Sequence, residues 1–162
     1  MNVFEKVFKA LNKAKVEYLV VGGVAVTLHG YARFTGDLDF VVFLERANLE
    51  RMDKAVKKMG YTERLPISLV SLGDKKQVQK WVKEKNLKAF SYFPSNENPL
   101  QIDIIISESL KFEEIAKNKV LKKVGDLEIP VVSLKDLIKM KKKASRSQDL
   151  IDIEMLDNIS KL

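Results

Sequence analysis

Apolar residues at Val3, Phe4, Val7, Phe8, Leu11 and Ala14 fall on one side of a helix over residues 3–15. The pattern then changes. "EYLVVGG" is an apolar run closed by two glycines and reads as a short buried strand. "VAVTLHG" predicts a two-turn helix stopped at Gly30, and the β-branched and aromatic "DLDFVVF" predicts a second strand. Ala47, Leu49, Met52, Ala55, Val56 and Met59 again share one helical side, with Gly60 as the stop. The stretch from Tyr61 to Ser71 follows neither period and leaves room for a strand. "GDKKQVQKWVKEKN" predicts a helix, "LKAFSYF" and "LQIDIIIS" two strands, and residues 111–118 a short helix. "KVLKKVGDLEIPVV" predicts a hairpin turning on Gly125 and Asp126. Ser133, with Asp136 three residues on, opens the helix "LKDLIKMKKKA", and Ser147 is the expected cap of a final helix. The succession implies an α/β (α+β) fold: a mixed β-sheet with flanking helices and a C-terminal helical segment. We expect a core over 1–108, with the hairpin and C-terminal helices of 109–162 packed on it as one compact unit. There is no internal repeat and no low-complexity linker.

Composition narrows the chemistry. Apolar residues make up 46% of 162, which suits a globular core and argues against disorder. No run reaches the roughly 18–20 apolar residues of a membrane span. The first residues alternate charge and hydrophobe, unlike a secretory leader, so a soluble cytoplasmic protein with no membrane partner is expected. With no cysteine and a single histidine, His29, thiolate and His-rich metal sites are excluded, and a Ser-His-Asp triad is disfavoured. A metal would have to be held by oxygen, which suits Mg2+ or Mn2+. The net charge of +7 favours anionic partners, among them nucleic acid and nucleotides.

The candidate chemistry centres on Asp37 and Asp39. In a strand, side chains at i and i+2 point to the same face, about 6.5–7 Å apart. Two such carboxylates repel each other, more so away from water, and call for a positive partner. A lone D-x-D recurs by chance in solvated strand ends, but three features add to it here. Gly22 and Gly23 end the preceding strand and allow close approach of a ligand to the backbone. Asp103 interrupts the apolar strand "QIDIIIS", and would meet the other two acids if that strand lay beside theirs. Thirteen residues separate Gly23 from Asp37.

The combination "GG", thirteen residues, "DLDF", then "IDIII" resembles the nucleotidyltransferase superfamily with the polymerase-β-like fold. "GGVAVTLHGYARFTGDLDF" and the C-terminal "IPVVSLKDLIKMKKKASRSQDLIDIEML" are similar to the minimal nucleotidyltransferases and AbiEii-type toxins of prokaryotic toxin–antitoxin systems. The resemblance implies that Asp37, Asp39 and Asp103 are catalytic and bind Mg2+ or Mn2+. It also implies that Gly22 and Gly23 hold a triphosphate and that Lys141 touches phosphate. The expected reaction moves a nucleoside monophosphate from a nucleoside triphosphate to a hydroxyl of RNA, tRNA included, or of a protein, with a cognate toxin–antitoxin protein as a further partner. The alternative is a catalytically inactive module or antitoxin of the same fold that binds RNA or a partner protein.

Arg33 and Thr35 precede the acids, where they would clamp phosphate and buttress the carboxylates. Asp149 and Asp152 share a helix face and would position Arg146 or Lys141, or order the nucleotide site. His29 is read as a capping or packing residue, and Trp81, Tyr92 and Phe93 as core. The basic stretches 75–88 and 139–146 would either track a phosphate backbone or face solvent.

Overall fold

In the computed structural model, which describes residues 1–162, seven strands form one mixed sheet. The strands are β1 (Tyr18–Val21), β2 (Asp37–Val42), β3 (Thr62–Glu63), β4 (Ala89–Phe93), β5 (Gln101–Ile105), β6 (Val120–Val124) and β7 (Leu127–Val131). Their order is β3-β4-β5-β2-β1-β7-β6. The helices are α1 (Val3–Lys13), α2 (Gly22–Leu28), α3 (Arg46–Lys58), α4 (Lys75–Lys85), α5 (Phe112–Ala116), α6 (Leu134–Ala144) and α7 (Ser147–Ser160).

Strand β1 is buried along its whole length, as a central apolar strand should be. It runs antiparallel to β2 and parallel to β7, whose register partner for Val20 is Val131. Strand β2 alternates. Leu38 and Phe40 are buried, and the rings of Phe8 on α1 and Tyr18 meet Phe40 edge-on. On β5, Ile102 and Ile104 take the same face, and on β4 Phe90 and Tyr92 join them. Helices α1 and α3 close this face with Val7, Phe8, Leu11, Leu49, Met52 and Val56. Fully buried Asn48 pins α3 to the sheet by accepting from Glu17 N at 2.7 Å and donating to the Glu17 and Phe43 carbonyls. The odd positions Asp37 and Asp39 therefore face the other way.

Four details depart from the sequence expectation. Gly22 and Gly23 do not end β1; they are the first two residues of α2. The unassigned stretch after Tyr61 makes only a two-residue edge strand and then a 3-10 turn over Leu69–Gly73, because Leu69 and Leu72 must both reach the core in a short span. The cap of α7 is Arg146, not Ser147: Asp149 reaches back to accept from the Arg146 backbone N–H at 3.0 Å. Phe93 is about half exposed and lies under the Arg64 guanidinium, whereas Tyr92 is buried and Trp81 packs at the core margin. Ser133 caps α6 through Asp136 N, and Gly125 turns the β6–β7 hairpin at a φ of 61°.

Candidate active site

The parallel pairing of β2 with β5 puts Asp39 directly opposite Asp103, and Asp37 opposite Gln101. The three carboxylates thus share one face of two adjacent central strands. Burial pushes the Asp39 carboxyl up to about 7, helped by the charges of Asp103 and Asp37 and by Asp103 lying within hydrogen-bonding reach; Arg146 pulls the other way. Asp37, more exposed, is also raised, by desolvation and by Asp103. Gln101 Nε2 spans the two Asp103 oxygens at 2.9 and 3.2 Å. With the side chains so disposed, no three acids stand in ligand geometry for a metal ion.

The glycines are shaped to these acids. Gly22 has a φ of +67°, and a Cβ there would overlap Asp39 Oδ2. A Cβ on Gly23 would sit 2.8 Å from Arg33 Nη2 and 3.0 Å from Thr35 Oγ1. Glycine is required at Gly22 by its backbone angle and by Asp39, whereas a Cβ at Gly23 would displace the ends of the Arg33 and Thr35 side chains. Thr35 Oγ1 donates to the Asp37 carbonyl at 3.2 Å.

Beside the acids lies a network of buried charge. Lys141, almost fully buried on α6, reaches Asp149 at 3.2 Å and Asp152 at 2.9 Å on α7. Arg33 Nε meets Asp152 at 3.2 Å, and Arg146 Nε meets Asp149 at 2.9 Å. Neither Arg33 Nε nor Asp152 Oδ2 makes an aligned hydrogen bond, so charge and proximity hold Arg33 Nε to Asp152 Oδ1 and Lys141 Nζ to Asp152 Oδ2. Burial raises the Asp149 carboxyl, but hydrogen bonds from Arg146 and Lys141 outweigh it and leave the group below its ordinary value. Arg33 is thus tied to α7, and its contact with Gly23 carries that tie to the edge of the acidic cluster. His29, the C-terminal cap of α2, donates Nε2–H to the Val132 carbonyl at 2.8 Å.

A cavity of about 580 Å3 opens between the acids and α6. Gly22 and Asp39 line one side; Lys88, Lys141, Lys143 and Arg146 bring positive charge, with Ser107 and Ser109 between. Asp39 at one wall and cations at the other give the cavity opposed charges. The structure therefore brings Asp37, Asp39, Asp103, Gly22, Gly23, Arg33 and Thr35 together, and sets Lys141 and Asp149 on the cavity wall. Gln101 and Lys88 join the site beyond the residues that the motifs mark. Gln101 carried a signal, being two residues from Asp103 on the same strand face. Lys88 carried none beyond its place in a basic stretch.

The central mixed sheet thus carries a D-x-D strand paired to a third acid, with Gly22 at the start of α2 packed against Asp39. Solved structures agree on the fold. The lincosamide antibiotic adenylyltransferase LnuA, with lincomycin bound, superposes with a TM-score of 0.64 at 14% identity, over 97% of this chain and 96% of that one. A protein of Thermotoga maritima assigned to the nucleotidyltransferases gives 0.58 at 16% identity, over 96% and 91%. ANT(2″)-Ia in complex with adenylyl-2″-tobramycin gives 0.57 at 11% identity, over 94% and 84%. Among curated protein sequences none matches. The chain belongs to the family described as nucleotidyl transferase AbiEii toxin, type IV toxin–antitoxin system, whose profile matches residues 10–162. No helix is long and apolar enough to cross a membrane.

Proposed function

We propose that the protein transfers a nucleoside monophosphate from a nucleoside triphosphate to an acceptor hydroxyl on RNA, tRNA included, or on a protein, in a toxin–antitoxin setting. The observation that carries this reading is the Asp39–Asp103 register across β2 and β5, with Asp37 on the same face and a cationic cavity beside it. The acceptor oxygen attacks the α-phosphorus, the bond from that phosphorus to the bridging oxygen breaks, and pyrophosphate leaves. Gly22 and Gly23 let the triphosphate approach the backbone, and Lys141, Lys143 and Arg146 balance its charge. Asp103 orients the acceptor hydroxyl and takes its proton.

By donor chemistry the three carboxylates, all oxygen, suit Mg2+ or Mn2+, and Asp39 is driven to about 7 by burial and by its acidic neighbours. Asp37, Asp39 and Asp103 would hold the metal, and Gln101 would release Asp103 to do so. Such an ion supplies charge neutralisation at the phosphates and lowers the pKa of the acceptor hydroxyl. Incubation with each labelled nucleoside triphosphate, Mg2+, total RNA and lysate protein, resolved on a gel, tests the reading. We expect a labelled RNA or protein band that Asp39→Asn and Asp103→Asn abolish while retaining a wild-type circular dichroism spectrum. Undiminished labelling by Asp103→Asn overturns it.

A further inference from the structure

The face of the sheet opposite the acids carries a second concavity. Helices α1 and α3 run over it side by side, and the channel between them measures about 650 Å3. Lys6, Lys9 and Lys13 form one rim, and Arg51, Lys54 and Lys58 the other. Both rims use the spacing i, i+3, i+7, so each presents three cations over two helical turns. None of the six takes part in an ion pair. The acids of these helices are engaged elsewhere: Glu5 with Asn2, Glu50 with Arg46, and Asp53 with Tyr92 and Lys57. The floor is apolar and small, made of Ala10, Ala14, Ala55 and Met59.

Like charges gathered along two rims repel one another and gain from an anionic occupant. The floor decides which kind. It offers no aromatic ring on which a base could stack, and small residues that let a third helix approach closely. We propose that this channel docks an amphipathic helix of a partner protein, with an apolar stripe on the alanine floor and Asp or Glu along both flanks. The charged rim on α1 runs from Lys6 to Lys13, about 10 Å of helix, so the complementary segment is at least two turns long. This proposal is independent of the nucleotidyl-transfer reading, because it uses none of the same residues.

The test is fluorescence anisotropy with the full chain and three probes. The first is a labelled helical peptide of about 14 residues with apolar positions at i, i+3, i+4, i+7 and glutamates flanking them. The second is the same composition scrambled, and the third a short duplex RNA. We expect the patterned peptide to bind most tightly. The double variant Lys9→Glu, Lys54→Glu should weaken it about tenfold or more, as for the loss and reversal of two partly exposed ion pairs. Ala55→Trp, which fills the floor and leaves the charge alone, should weaken it similarly. Thermal melting and nucleotide binding at the opposite face, both unchanged in the double variant, show that the fold is kept. Equal binding of the scrambled peptide reduces the channel to a nonspecific cationic surface and overturns the proposal. Tighter binding of duplex RNA, lost in the same double variant, assigns the channel to nucleic acid and also overturns it.

Discussion

Asp39→Asn should make the metal-free protein more stable at neutral pH while destroying its chemistry. The unfolded chain releases the Asp39 proton near pH 3.9, and the folded chain near pH 7. The folded state therefore holds this proton more tightly, and ionising Asp39 works against folding. The sign follows: below about pH 4 the group is protonated in both states and contributes nothing. Between about pH 4 and 7 its penalty grows, and above about pH 7 it is complete. Close to three powers of ten in proton affinity corresponds to about 4 kcal/mol at most. Asp37 and Asp103 share the same excess charge, so removing one member recovers about 1–3 kcal/mol. Asparagine nearly matches the shape of the protonated acid and can donate to Asp103 as that form does. Urea denaturation in the presence of a chelator, at pH 5 and at pH 8, measures the effect. The variant should exceed the wild type by about 1–3 kcal/mol at pH 8, and the gap should shrink to about a third of that at pH 5. A variant that is no more stable at pH 8, or a gap of equal size at both pH values, refutes the electrostatic account. Saturating Mn2+ should close the gap by stabilising only the wild type, since the ion binds the folded state through an intact set of acids.

Other substitutions probe separate parts of the structure. Gly22→Ala puts a Cβ onto Asp39 at a left-handed backbone position; about 1–2 kcal/mol of stability should be lost by thermal melting, along with Mn2+ binding by calorimetry, and wild-type binding would dismiss the glycine fit. Asp152→Ala leaves Arg33 unpaired and Lys141 with only Asp149; it should cost about 3–5 kcal/mol in urea titration, and a loss below about 1 kcal/mol would mean the buried network is not structural. Asn48→Ala strips partners from one backbone N–H and two carbonyls, and should cost about 3 kcal/mol with little change in nucleotide affinity at the opposite sheet face.

Much of the fold is written in local patterns. The alternation of Leu38, Asp39 and Phe40, the stripe of Leu49, Met52 and Val56, and the Gly125–Asp126 turn each depend on neighbours in the chain, so their elements are readable one at a time. The acid cluster was partly readable for the same reason: Asp37 and Asp39 share a face by strand geometry, while Asp103 needed the pairing of β2 with β5, which the resemblance supplied. Features made by two distant segments escaped. The hold of Arg33 on Asp152 joins the loop before β2 to α7, and neither sequence neighbourhood announces it. Helices α1 and α3 each read as an ordinary amphipathic element with a solvated polar side; only their juxtaposition turns two rows of lysines into a channel. Phe93 was misjudged because an aromatic at the end of an edge-side strand can lie against a guanidinium as well as within a core.

The pairing of Val20 with Val131 reaches across most of the polypeptide, and Lys141, Asp149 and Asp152 lie further on still. A ribosome releases β2 long before it has made the segments that complete the pocket around it. The nascent chain therefore carries the acids without the buried cations that border them, and gains its full electrostatic arrangement only after α7 has emerged. The site is thus completed late, by joining the last third of the chain to the first.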